Sequence, residues 1–398
     1  MKNSNIKVYL LYILYFFSCF FIVSINVEVS DSLKIYSGFF VSVVIIFISI
    51  FKILFLDKKI IIRRTDFILF LIVIMYSIYS LILTLYLRSD LLYTIQIISP
   101  ILCIIFLNYM FYEKDLCEKM YILIKNTLII YVIIFTLLYF GGYCGLESYG
   151  YKINLVNQSE MIIRFNEKRI NGFTSHKSSY ALICYISILF TKVSNDSKLK
   201  KYIIYFIIEL SILLSNSMMG IAVSLITLLL FILMDFQKIN KYIKIIIYSS
   251  IIPFIVLFGD KIYYYISKAR DISTAGGRFY IWSSYIKLML QNKLGIAKLT
   301  ADKLIKSNKW DFYYYNAHNV FIEEFLERGI IGGVLFVAIF IFFALKFIKI
   351  KRIDLFMGII GITLICNMDY AIAKESIFFF WYLIILLYSK VRNDFYYK

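Results

Sequence analysis

Little in this chain resembles the material of a soluble enzyme. Its 398 residues include two prolines, three tryptophans and two histidines, and charged side chains make up 17%, where globular domains carry about a quarter. Acids are scarcer than bases, 25 against 43. The six cysteines, Cys19, Cys103, Cys117, Cys144, Cys184 and Cys366, are scattered with no CxxC and no adjacent histidine, which excludes a disulfide framework and the common metal or redox motifs. There is no Walker GxxxxGK[ST] and no GxSxG, so a P-loop and a hydrolase nucleophile elbow are excluded as well.

What the chain has instead is apolar length. Hydrophobic residues make up 61% and mean hydropathy is +0.80, and spans need roughly 20 apolar residues each. Apolar stretches fall at about 8–26, 35–56, 67–87, 91–112, 120–140, 178–194, 202–216, 219–236, 245–259, 329–348, 355–373 and 376–391. The expected fold is all-α, a polytopic transmembrane bundle of about 12 spans forming one integral membrane domain over 1–398. Lys2 and Lys7 ahead of the first stretch read as the start of a retained helix, because the apolar run is too long for a signal peptide and no small-residue cleavage site follows.

In a soluble protein a net charge of +18 would suggest nucleic acid; in a membrane protein its distribution sets orientation. Lys58, Lys59, Arg63, Arg64, Lys114, Lys119, Lys198, Lys200, Lys201, Lys238, Lys241, Lys244, Lys349, Lys351 and Arg352 fall on alternate connections, whereas the short connections between them carry only Lys34, Arg88 and Lys374. The positive-inside rule then puts both termini in the cytoplasm. Two long connections, 141–177 and 260–328, lie on the outer side, and long loops commonly carry function. The second is basic, which suits an anionic partner.

Each of the two histidines, His176 and His318, lies in one of these outer loops. Histidine is the side chain best suited to move a proton near neutral pH. His318 lies in Tyr313-Tyr314-Tyr315-Asn316-Ala317-His318-Asn319. Asn316 reads as an N-cap for an interfacial helix over 317–328, with Phe321 and Phe325 on one face, Glu323 and Glu327 on another, and Gly329 turning the chain into the next span. His176 reads equally well as an exposed loop histidine. Arginine forks suit phosphates, and the loops supply Arg164 and Arg169 in the first, Arg270 and Arg278 in the second. Neither loop has a DxD to hold Mg²⁺. Glu209 and Asp369, acids inside apolar stretches, are costly in lipid and read as internal partners of a Lys, Arg or Tyr.

Three stretches resemble the superfamily of O-antigen polymerases and O-antigen ligases, polytopic bacterial membrane glycosyltransferases. These are Arg169-Ile170-Asn171-Gly172-Phe173 with His176, Gly277-Arg278 with Trp282, and Ala317-His318-Asn319 with Gly329. Ser217-Met218-Met219-Gly220 stands where the family often has serine-arginine-x-glycine; Arg164 or Arg270 are candidates to supply the missing charge. The resemblance implies transfer of a glycan from undecaprenyl diphosphate to a sugar hydroxyl at the periplasmic face of the inner membrane. His318 would be the general base, Arg169 and Arg278 would bind the diphosphate, and Arg164, Arg270, His176, Asn319 and Trp282 would support them, with no metal and no cofactor. The product would be O-antigen or capsular polysaccharide. A ligase delivering glycan to lipid A core is the nearest alternative, and a flippase with the same lipid-linked oligosaccharide is the alternative of another class. Expected partners are that substrate, the bilayer, a chain-length regulator and a flippase, and no nucleic acid.

Overall fold

The computed structural model describes residues 26–30, 33–57, 63, 66–141, 146–149, 152–155, 170–172, 174, 176–235, 278–300, 303–306, 313–314, 316–369, 371–372 and 377–396. The expected spans at 8–26 and 245–259, apart from residue 26, fall outside them, as do Arg164, Arg169 and Arg270. The other ten expected spans each coincide with a helix. In chain order the helices are α1 (Ser37–Phe51, continued by a π turn, Lys52–Asp57), α2 (Phe67–Tyr86), α3 (Leu91–Met110), α4 (Lys114–Phe140), α5 (Lys177–Val193), α6 (Lys198–Ser215), α7 (Met218–Asp235), α8 (Arg278–Gln291), α9 (Val320–Lys349), α10 (Ile353–Met368) and α11 (Ile377–Tyr396). Three antiparallel pairs join them: β1 (Asn26–Ser30) with β2 (Leu33–Tyr36), β3 (Leu146–Tyr149) with β4 (Lys152–Leu155), and β5 (Ile305–Lys306) with β6 (Tyr313–Tyr314).

Six helical segments among the described residues are long and apolar enough to cross a bilayer: Gly38–Phe55, Phe67–Tyr86, Leu91–Met110, Lys114–Phe140, Met218–Asp235 and Val320–Lys349. The chain is therefore a multi-pass, largely helical membrane protein. On α2 the exposed residues Ile68, Leu71, Met75, Ile78, Ile82 and Leu85 recur every three or four positions. That spacing makes one apolar stripe, which a lipid environment tolerates without cost.

Two helices lie at the centre. On α5 every residue except Lys192 is buried, and α11 is buried from Ile377 to Asn393. A helix covered on all sides by protein need not be uniformly apolar, provided its polar groups find partners. Thus α5 carries Ser178, Ser179, Ser187 and Thr191, and the last two hydroxyls donate back to carbonyls one turn earlier, 2.8 Å each. Burial makes α5 and α11 the core of the bundle.

The end of the second long connection is built differently from the expectation. The N-cap of α9 is Asn319, not Asn316: its Oδ1 accepts from the amides of Phe321 and Ile322 at 3.0 and 3.1 Å. Asn316 instead accepts from the His318 amide at 3.0 Å, closing a small turn that holds His318 at φ +48, where asparagine and aspartate neighbours often stabilise the backbone locally. The acidic face is not presented to water either. Glu323 and Glu327 are buried; the Tyr93 hydroxyl donates to Glu327, Tyr76 donates to Glu324 at 2.8 Å, and Glu323 accepts from the Ala317 amide at 3.4 Å. Helices α2 and α3 thus supply tyrosines that take up this face.

Gly329 behaves as the sequence suggests. It lies at φ +66, ψ −174 inside α9 and breaks the helix there. A Cβ would meet the carbonyl of Leu294 at 2.3 Å, and one on Gly295 (φ +102) would meet the Gly329 amide nitrogen at 2.5 Å. Only glycine serves at both positions. This close backbone contact, with Ile330 N–H donating to Lys293 O at 3.0 Å, ties the segment after α8 to the kink of α9.

Candidate functional site

Helix α5 begins, α6 ends, α7, α8 and α9 begin and α10 ends at one end of the bundle, and the polar groups of this end converge on Asp369, the C-cap of α10. The Ser178 hydroxyl, in the first turn of α5, donates a short hydrogen bond to its Oδ2. Arg278, the first residue of α8, places Nη2 3.5 Å from the same oxygen. Nδ1 of His318 lies 3.7 Å from Oδ1, beyond hydrogen-bond length. Side-chain exposures of 14%, 9% and 33% for Arg278, Asp369 and His318 describe a partly covered site whose most accessible member is the histidine.

Burial by itself would push the Asp369 carboxyl up. The proximity of His318, the attraction of His176 and Arg278 and the Ser178 hydroxyl outweigh it, and the carboxyl is held well below the usual carboxylate range.

Each side chain is fixed by its element. Asn319 donates from Nδ2 to Asn367 Oδ1 at 2.7 Å, joining the His318 segment to the last turn of α10. Trp282, one turn after Arg278 on α8, donates from Nε1 to the Ala317 carbonyl at 3.0 Å. Ile281 and Tyr285 of α8 form a small apolar cluster with Ile296, Ala317 and Leu326, and the Tyr285 hydroxyl donates to Tyr314 O at 2.7 Å. Helix α8 therefore delivers Arg278 and clamps both sides of His318. His176 is the N-cap of α5, its Nδ1 accepting from the Ser178 amide at 3.2 Å.

The first loop reaches the same end. Ile170 is fully buried and its amide donates to Leu214 O at 3.1 Å. Gly172, at φ +60, lies against Tyr131 and Tyr180, where a Cβ would meet the Tyr131 hydroxyl at 2.2 Å. The chain immediately after Arg169 is thus held at the end of α6. Beside the site, Val320, Glu323, Glu324, Glu327, Ile97, Phe336, Ile372 and Ile377 line a small cavity.

The structure brings together His318, Arg278, Asn319, Trp282 and His176 from the sequence-derived set. Asp369 pairs with an arginine, Arg278, as expected of an internal partner, and His318 lies beside the same carboxylate. Its signal was the cost of an acid in an apolar stretch. Ser178 had no signal at all. Glu209 is partnered by the Ser224 hydroxyl at 3.0 Å, not by a cation or a tyrosine among its described hydrogen bonds.

Residues 203–337, about a third of the chain, match the family model described as O-antigen ligase. The match runs from α6 into α9 and includes Arg278, Trp282, His318, Asn319 and the Gly329 kink. It supports the resemblance to the O-antigen polymerase and ligase superfamily. No curated protein matches the chain.

Proposed function

We propose that the protein is a polysaccharide polymerase, an inverting glycosyltransferase that moves an undecaprenyl diphosphate-linked glycan onto a sugar hydroxyl of a lipid-linked repeat unit, at the periplasmic face of the bacterial inner membrane. The observation that carries the reading is the meeting of a histidine, an arginine and a buried carboxylate at one end of a membrane bundle. That combination provides a proton acceptor beside an anion-binding group.

With Nδ1 turned toward Asp369, Nε2 of His318 is the nitrogen that takes the proton of the acceptor hydroxyl. The acceptor oxygen attacks the anomeric carbon from the face opposite the diphosphate, the bond to the diphosphate oxygen breaks, and polyprenyl diphosphate leaves with the electron pair. Arg278, together with Arg169 from the first loop, neutralises the charge growing on the leaving group. Asp369 is a positioning residue: it orients the imidazole, stabilises the imidazolium once formed, and keeps the guanidinium in place. No metal or nucleotide enters this scheme.

A ligase using the same donor and lipid A core as acceptor is the second reading, favoured by the description of the matched family. A flippase is less well supported, because transporters bind near the bilayer midplane whereas the polar cluster here is at helix ends. The purified protein is to be incubated in liposomes with an undecaprenyl diphosphate-linked repeat unit alone, with chelator and without nucleotide. A ladder of products supports the polymerase. Transfer only after lipid A core is added replaces it by the ligase, and no transfer in either case defeats both. A chain-length regulator would set ladder length, and a flippase would deliver the substrate.

A further inference from the structure

Helix α8 is 14 residues long, about 21 Å, too short to cross a bilayer. It nevertheless carries apolar side chains on two opposite faces. Ile281 and Tyr285 face inward, into the cluster with Ile296, Ala317 and Leu326. At 100° per residue, Phe279, Ser283, Ile286 and Leu290 fall within about 60° of one another on the other side. Phe279 and Leu290 are 53% and 54% exposed, Ile286 is exposed as well, and Leu294, just beyond the helix, is 56% exposed. The one hydroxyl in this stripe is satisfied on its own helix, Ser283 Oγ donating to Tyr280 O at 2.9 Å. A stripe of this kind marks an interaction surface.

What covers it follows from where the helix ends. The carbonyl of Leu294 accepts from the Tyr79 hydroxyl at 2.8 Å. Tyr79 lies seven residues before Tyr86, the last residue of α2, which is about 10 Å along the helix, and helical side chains lean toward the N-terminus. Leu294 is therefore below the end of a membrane span, level with the exposed α2 residues Ile78 and Ile82. The amide of Ile330 donates to Lys293 O at 3.0 Å, and Ile330, Ile331 and Val334 of α9 are exposed too. The α8 stripe thus runs into the apolar surface that two spans present to lipid.

Its charge points to the same neighbour. Residues 278–300 contain Arg278, Lys287, Lys293 and Lys298 and no acid. Arg278 and Lys298 meet Asp369 and Asp90, whereas Lys287, which borders the stripe, and Lys293, which follows the helix, are exposed and form no ion pair among the described residues.

We infer that α8 lies in the bilayer surface on the side of the candidate site, with Phe279, Ile286, Leu290 and Leu294 among the acyl chains and Lys287 and Lys293 on the phosphates of anionic phospholipids. The helix that carries Arg278 and Trp282 is then held at headgroup depth by the lipid itself, whatever reaction those residues serve.

The test reads the neighbours of the stripe directly. Full-length protein carrying p-benzoylphenylalanine in place of Ile286 or Leu290 is reconstituted in nanodiscs of equal parts phosphatidylglycerol and phosphatidylcholine, irradiated, and its adducts are identified by mass spectrometry. The same photoreactive group in place of Ile82, on the exposed stripe of α2, is the reference. Lipid adducts are expected at all three positions, with phosphatidylglycerol about three-fold enriched at 286 and 290 relative to 82. Lys287→Gln combined with Lys293→Gln should bring that ratio down to the value at 82 and leave the total lipid adduct unchanged. Absence of lipid adducts at both 286 and 290 overturns the inference. Crosslinks to a second copy of the chain in their place make the stripe a protein interface, which overturns it too. So does a phosphatidylglycerol ratio that is the same at all three positions or is unmoved by the lysine changes. None of these outcomes bears on the glycosyltransferase reading, which turnover tests.

Discussion

Two buried aspartates, one at each end of the bundle, have been given opposite surroundings. Asp66, the N-cap of α2, accepts from Tyr112 and Tyr388 at 2.7 Å each, from Arg392 at 2.9 Å and from Asn108 at 3.3 Å, with Lys346 at 3.8 Å. Among its described contacts, Asp369 accepts a short bond from Ser178 and has Arg278 Nη2 at 3.5 Å and His318 Nδ1 at 3.7 Å. Other described ion pairs are tight as well: Lys390–Glu118 at 2.5 Å, Lys125–Asp196 at 2.5 Å and Lys192–Asp235 at 2.7 Å. A charge surrounded by donors at bonding distance is a structural tie that locks α11 against α2 and α3. On the proposed function, Asp369 instead positions Arg278 and His318 for the reaction.

The largest expected effect that sharpens this contrast is at His318. His318→Ala should lower polymerisation by a factor of about 10² to 10⁴, the usual worth of a general base, with membrane levels unchanged; a wild-type ladder from this variant would remove its role. Asp369→Asn comes next, at about 10²-fold in kcat, through loss of the group that orients His318 and holds Arg278. At the other end, Asp66→Ala leaves Arg392 buried without its carboxylate and should cost about 3–5 kcal/mol of stability, read as a lower melting temperature in detergent, while activity per folded molecule is retained. Equal damage to activity and stability from both aspartates would break the comparison.

Smaller effects refine it. Trp282→Phe removes the bond to Ala317 O, worth about 1 kcal/mol, and should reduce kcat a few-fold by loosening the His318 turn; His176→Ala should change it less. For pH, burial would raise the Asp66 carboxyl, but Arg392, Tyr112, Tyr388 and Asn108 hold it below the ordinary value. A depressed carboxylate stabilises fully above its unfolded pKa of about 3.9 and loses that contribution as pH falls through the folded value. The melting temperature of Asp66→Asn should therefore approach that of the parent only below about pH 4, with the difference constant from pH 5 to 8.

Much of this was readable along the chain. Ten of twelve expected spans coincide with described helices because apolar length is a local property, and lipid demands it of any helix that crosses. Gly329 was legible as a turn, and it is one because the Leu294 carbonyl fills the space of a Cβ. His318, Arg278 and Trp282 stood out because the chain has so few histidines and tryptophans and because their short patterns resemble a known superfamily. The N-cap of α9 was misplaced by three residues: Asn316 and Asn319 are both good caps, and only the packing of Asn319 against Asn367 chooses between them.

The sequence by itself determined a membrane solvent, the helical spans and a small set of proton-moving and anion-binding side chains. The tertiary structure decided which of them meet. Asp369 lies 51 positions from His318 and 91 from Arg278. No local pattern encodes those distances, because they arise from how the ends of separate helices pack together, and packing is a property of facing surfaces that a single run of residues does not contain.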